Sequence, residues 1–299
     1  MRTKITVAML AIYFIWGSTY IAIRFGIQTI PPFLLAGIRF LTAGTLLFVW
    51  RMIAGDRKPS RNQWLSAAKI GILMLVFGNG LVTWSELHID SGITALLGGT
   101  VPIWMVICDW LFSSRRKPHR LEAVGLIIGF GGVAVLVGPG SLIDGMEHYN
   151  FVGSGAVVVA SLFWALGSIM SKDADMPESP LLGTSMEMLA GSIGLFTVSI
   201  ITGEAKGFQL VNVSTNSIFG LAYLIFFGSL GAFVAYTWLL RNAPTPLVAT
   251  YAYVNPMVAI LLGNLLAQEP FSLQLLIAIV MILGSVFLIN RGRQMSSSQ

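Results

Sequence analysis

"PPFLLAGIRFLTAGTLLF" (residues 31–48) and "SPLLGTSMEMLAGSIGLF" (residues 179–196) lie over one another without a gap. Pro32 meets Pro180, Leu41 meets Leu189, and Leu47-Phe48 meets Leu195-Phe196. Each stretch is about as long as the ~30 Å apolar core of a bilayer requires of a helix. Each carries one charge, and the two charges fall at the same register position: Arg39 in the first, Glu187 in the second. Further matches keep the same order. Trp84 meets Trp238, Ala95 meets Ala249, Pro102 meets Pro256, Leu111 meets Leu265, Pro118 meets Pro270 and Gly132 meets Gly284. The chain therefore reads as two copies of one pattern.

Composition says what kind of pattern it is. Of 299 residues, 55% are hydrophobic and only 10% charged, against about 25% charged in an average soluble domain. Abundant Gly, Trp and Phe fit helices in lipid. Ten spans are expected, at 5–24, 33–53, 64–85, 91–112, 121–138, 151–171, 180–202, 215–240, 246–266 and 271–290. They leave only short links and no room for a soluble domain. The first run follows a basic start, as a signal peptide would, but it is long, lacks a small-residue cleavage site and reads as a retained span. The fold class is thus an all-α polytopic membrane protein of ten helices, divided at 1–145 and 146–299. Five spans per half is an odd number, so the halves enter the membrane from opposite sides as inverted repeats. Many secondary transporters are built this way.

Charge orients the bundle. With both termini cytoplasmic, 14 of the 18 basic residues fall on the inner side, and only Lys206 falls in an outer loop. The positive-inside rule selects that orientation and explains the net charge of +5 without nucleic acid. The single cysteine, Cys108, excludes an internal disulfide. No metal or cofactor is expected. His88, His119 and His148 all fall in loops, and neither a zinc-binding H-E-x-x-H nor a phosphate-binding P-loop occurs. An enzyme is the remotest reading, and a passive channel or facilitator is the main alternative to a carrier.

Pro102 and Pro256 fall inside their spans at matching positions. A proline there gives no N–H to the carbonyl four residues back, that of Gly98 or Ala252. Such opened backbone in a membrane belongs against protein or a wet cavity, and paired interruptions point to a midplane site. Polar and aromatic residues at helical spacing suggest its walls. The candidate substrate residues are Trp16, Tyr20, Asn79, Gly98, Pro102, Trp164, Tyr251 and Asn255, with Tyr223, Phe227, Val234 and Trp238 as the expected inner stripe of the eighth span. Such a wall suits small zwitterionic or neutral metabolites with an apolar part. Two charge clusters are expected at the mouths: Arg39 with Glu86 or Asp90 outside, and Glu187 with Arg241 inside. Their roles would be gating or ion pairing. Protons are a candidate coupling ion, and the assembly reads as a monomer or homodimer.

"IWGSTYIAIR" (15–24), "GIRFLTAG" (37–44), "ITALLGGTVPIW" (93–104), "SGAVVVASLFWALGSIMSK" (154–172) and "TPLVATYAYVNPMVAILLG" (245–263) resemble the EamA-type members of the drug/metabolite transporter superfamily. The resemblance covers essentially the whole chain. It implies ten helices in two inverted repeats, a central cavity from helices 1, 3, 4, 6, 8 and 9, and secondary transport, often export of amino acids or other small metabolites. One departure stands out. Small multidrug relatives in that superfamily depend on a glutamate in their first helix, and the first span here has no acid.

Overall fold

The computed structural model describes residues 2–112, 119–137, 150–171, 173–243 and 251–297. Helical segments account for nearly all of it. They form α1 (Arg2–Gly26), α2 (Pro32–Ile53), α3 (Arg61–Ser85), α4 (Ser91–Phe112), α5 (Arg120–Val137), α6 (Phe151–Met170), α7 (Pro180–Ile201), α8 (Thr215–Tyr223 continued through Ala232–Asn242), α9 (Tyr251–Ala267) and α10 (Leu273–Ser297). Among the described residues, eight helices are long and apolar enough to cross a membrane. Ile53, Ile127, Ile193, Phe219, Val280 and Phe287 stand exposed on the outside of the bundle, as lipid-facing side chains would. The expected division at 145/146, the start of the ninth span, and Arg115, Arg116, Lys117 and Lys172 lie outside the described residues.

Local chemistry sets the helix starts. Pro32 and Pro180 open α2 and α7, where a missing N–H costs nothing. Ser60 and Gln63 form a reciprocal capping box at α3. Asn150 caps α6 by accepting from Val152 N and Gly153 N, at 2.8 and 3.1 Å.

Packing repeats between the halves. The most extensive contacts join each helix to its own counterpart, α2 to α7 and α5 to α10. Beyond that, α1 packs on α8 and α9 as α6 packs on α3 and α4. Close crossings use small residues, since lipid supplies no hydrophobic force to hold helices together. Gly44 of α2 sits against Met188 and Leu189, and Gly71 of α3 lies directly on the backbone of Glu187.

Two irregularities also come in near-matching pairs. Both α3 and α8 widen into π-helix, over Ile72–Gly80 and Leu224–Gly231. The proline pair is less symmetric than expected. α9 runs on through Pro256. α4 stops at Gly98, turns at Gly99 and Thr100, and restarts at Val101. Pro102 is therefore the second residue of a new helix rather than a kink within an old one.

Candidate functional site

Between the halves lies a cavity of about 350 Å³, within the range of small-molecule sites. All eight sequence-predicted substrate residues line it: Trp16, Tyr20, Asn79, Gly98, Pro102, Trp164, Tyr251 and Asn255. They come from α1, α3, α4, α6 and α9. The 3.6-residue period serves well on α1, α4, α6 and α9, where each residue lies in an ordinary helical turn or at its edge; Asn79 lies near the end of the π stretch of α3 and still reaches the wall.

It fails on α8. Phe227 and Val234 point outward, 53% and 38% exposed, and the cavity residue is Tyr236. A π turn holds more residues than an α turn. A face extrapolated across Leu224–Gly231 is therefore rotated away from its true position. Nothing in the local sequence announces the wider turn.

The π segments shape the cavity directly. Trp16 Nε1 donates to the Gly228 carbonyl at 3.3 Å. On the opposite side the Trp164 ring rests on Gly78, so close that a Cβ there would stand 3.2 Å from it. Each tryptophan thus leans on the π segment of the other half. Trp16 also meets Tyr236 and Tyr251, with ring centroids 5.1 and 5.2 Å apart, and Tyr236 meets Tyr251 edge-on at 6.0 Å. Aromatic rings at these distances favour one another beyond simple burial. Asn255, with its amide nitrogen turned to the backbone, donates to Tyr251 O and Tyr13 O, both at 3.2 Å. That ties α9 to α1 beneath the aromatic cluster.

At the break in α4, Ser161 Oγ donates to the Leu97 carbonyl at 3.4 Å. Gly98 lies beneath the Tyr20 hydroxyl, where a Cβ would stand 2.9 Å away. A side chain at position 98 would have to push Tyr20 into the cavity. Glycine is required there by the approach and not by its dihedral freedom.

The charged candidates are arranged differently from expectation. Arg39 lies at the expected depth, but neither Glu86 nor Asp90 is its partner. It lines the cavity, buried to 5% exposure, and its Nε donates to Ser229 Oγ of α8 at 2.9 Å. Its guanidinium also lies 4.7 Å from the centre of the Phe40 ring. Asp90 instead faces Arg24, at 3.8 Å. Arg24 Nη1 donates to the Glu86 carbonyl at 2.6 Å. The Glu86 carboxyl is fully buried, and neither of its oxygens has a hydrogen-bond partner among the described residues. Burial, then the charge of Glu269, push it well above the usual carboxylate range, against the opposing pull of Arg24. Arg24, Glu86, Asp90 and Glu269 together mark one end of the bundle, here termed distal. Sequence depth put Arg39 and Arg24 near the same end, but only the packing decides which of them turns toward the acids. Toward the other end, Glu187 sits partly buried on α7. The expected partner, Arg241, is in the last turn of α8, but its side chain lies outside the described residues. No group of three or more His, Cys, Asp or Glu that could hold a metal occurs among the described residues.

The model of the EamA-like transporter family matches this chain twice, over residues 3–138 and 152–291. A protein described as the uncharacterized inner membrane transporter YedA of Escherichia coli (strain K12) is 38% identical over 287 residues, which cover 96% of this chain and 90% of YedA. The uncharacterized transporter YvbV of Bacillus subtilis (strain 168) is 25% identical, covering 97% and 92%. One solved crystal structure shares the fold, with a TM-score of 0.62 at 18% identity over 96% of each chain. The two matched segments coincide with the two symmetrically packed halves. The chain belongs to the EamA-like transporter family and is a membrane transporter.

Proposed function

We propose that the chain is a secondary transporter that exports small metabolites, amino acids or related compounds, through the central cavity by alternating access. The observation that carries this reading is the crossed pair of tryptophans. Trp16 leans on the π segment around Gly228, and Trp164 leans on the one around Gly78. The same kind of contact recurs on opposite sides of one cavity, as expected of inverted repeats that can exchange two near-equivalent arrangements and so expose the cavity to each side in turn. A 350 Å³ chamber walled by aromatic rings and amides suits a small solute with an apolar part. The charge distribution supports cytoplasmic termini, and the description of YedA supports an inner-membrane location. Protons are the proposed coupling ion.

Purified protein in liposomes, supplied with labelled L-amino acids under an imposed pH gradient, tests the proposal. Saturable uptake that is stimulated by unlabelled solute on the opposite side is the expected result. Linear, non-saturating flux would instead identify a channel.

A further inference from the structure

We infer that Arg39 is an anion anchor and that the substrate carries a carboxylate, which its guanidinium holds inside the central cavity. The inference deepens the transporter reading and rests on it. A buried charge is stable in a protein only when it is paired or well hydrogen-bonded. Arg39 has no acidic partner among the described residues. The two salt bridges among the described residues join Arg24 to Asp90 and Arg51 to Asp56. The buried acids nearest to needing a cation, Glu86 and Glu269, meet Arg24 and the start of α4 instead. Of the five N–H donors on a guanidinium, only Nε has an acceptor here, the Ser229 hydroxyl. That bond fixes the plane of the group and leaves both terminal nitrogens without a hydrogen-bond partner among the described residues. Phe40 packs against the guanidinium, and α8 comes so close at Gly228 that a Cβ there would lie 3.4 Å from Nη2.

A planar, pre-oriented fork with two unused nitrogens matches a carboxylate, which can take both bonds at once. A phosphate or dianion is a poorer match, since Arg39 is the sole basic residue on the cavity wall among the described residues. The rest of the wall defines the body of the ligand. Trp16, Tyr236 and Tyr251 form one aromatic cluster, and Trp164 is a further ring on the wall. The ligand class is therefore a monocarboxylate with an aromatic or branched apolar body. An α-amino group is compatible, because the Gly98 carbonyl gets no N–H from Pro102 and Gly98 lines the same cavity.

The test compares matched acids and amides on the purified full chain in detergent. The probes are 3-phenylpropanoate against 3-phenylpropanamide, L-phenylalanine against its amide, and 4-methylpentanoate against its amide, read by thermal stability and by tryptophan fluorescence. At least one acid should bind tenfold or more tightly than its amide. Arg39→Gln should remove that preference, and Arg39→Lys should recover part of it. The wild-type comparison requires no variant to fold. The inference is overturned if no acid outperforms its amide, or if Arg39→Gln keeps the preference. It is also overturned if chloride, exchanged for isethionate, gives the full stabilisation by itself. Counterflow in liposomes separates the two claims. Acid-selective binding without counterflow would sink the transporter reading alone. Counterflow of an amide as fast as its acid would sink the anchor alone.

Discussion

Glu86 and Glu269 are the same residue type, buried at the same end of the bundle, and they are held in opposite ways. Glu269 is met by the start of a helix: its two oxygens accept from Ser91 N and Gly92 N at 2.8 and 3.0 Å, in the first turn of α4. Those N–H groups are among the four that a helix leaves unpaired, and they sit at the positive end of its dipole. Glu86 follows the last turn of α3, where carbonyls are unpaired and the dipole is negative. Its carboxyl has no hydrogen-bond partner among the described residues. Glu204 repeats the pattern of Glu269, accepting from Leu34 N in the first turn of α2 at 2.8 Å. Two acids of the distal loops thus close helix starts, and Glu86 stands against the end of one. The lesson is that burial alone does not decide the cost of a carboxyl; the polarity of the nearest helix end does.

Removing Glu269 should have the largest effect. Glu269→Ala leaves two buried N–H donors unpaired, at about 1–3 kcal/mol for each group left unsatisfied. The chain also adopts a left-handed backbone at Gln268, φ 55°, immediately before Glu269, a conformation that costs a non-glycine residue roughly 1–2 kcal/mol. We expect a loss of about 3 kcal/mol, seen as a lower midpoint in thermal unfolding of the detergent-solubilised protein. An unchanged midpoint would mean that water replaces the carboxylate and that the contrast with Glu86 is not energetic. Glu204→Ala should follow the same rule with a loss of about 1 kcal/mol, because Glu204 holds one N–H and is only partly buried.

Glu86→Gln should act in the other direction. The folded protein raises this carboxyl above its ordinary value of about 4.5. Below that value both folded and unfolded chains are protonated at Glu86, and it has no net effect. As pH rises past it, the unfolded chain releases the proton while the folded chain keeps it, so stability falls until the folded group also ionises. Glutamine carries no titrating proton. The variant should come close to wild type near pH 4.5 and be the more stable of the two at pH 8, the gap opening as pH rises. The difference between the two stability curves isolates Glu86 from other titrating groups. A flat difference would show that the carboxyl is ionised in the folded state and hydrated.

These contrasts also mark what the sequence could and could not disclose. Hydropathy and the doubled proline, glycine and aromatic pattern carried the ten helices and the two repeats, because span length and lipid exposure are local demands on composition. The cavity residues on α1, α4, α6 and α9 were legible from helical spacing. Tyr236 was not, because the π turn in α8 shifts the face. Arg39 was legible as a buried charge but not as a cavity residue. Depth along a helix can be counted from its end, whereas rotation about the bundle depends on which neighbour packs there. The role of Glu269 was not legible at all, since nothing near position 269 records that its donors lie at residues 91 and 92.

The smallest expected effect tests the one charge that binds the two acids into a single cluster. Arg24 reaches Asp90 at 3.8 Å and donates to the backbone of Glu86. Its side chain in that pair is 36% exposed, so the ion pair contributes about 0–1 kcal/mol, and Arg24→Gln should lower stability by about that much at pH 4.5. Its electrostatic effect is separate. Arg24 opposes the burial that raises the Glu86 carboxyl, and removing its charge should raise that group further. Stability should then keep falling over a wider pH range above 4.5 than it does in wild type. In the double variant Arg24→Gln, Glu86→Gln, the extra slope should vanish while the small loss at pH 4.5 remains. Persistence of the slope would assign it to Asp90 and would remove Arg24 from the contrast between the two glutamates.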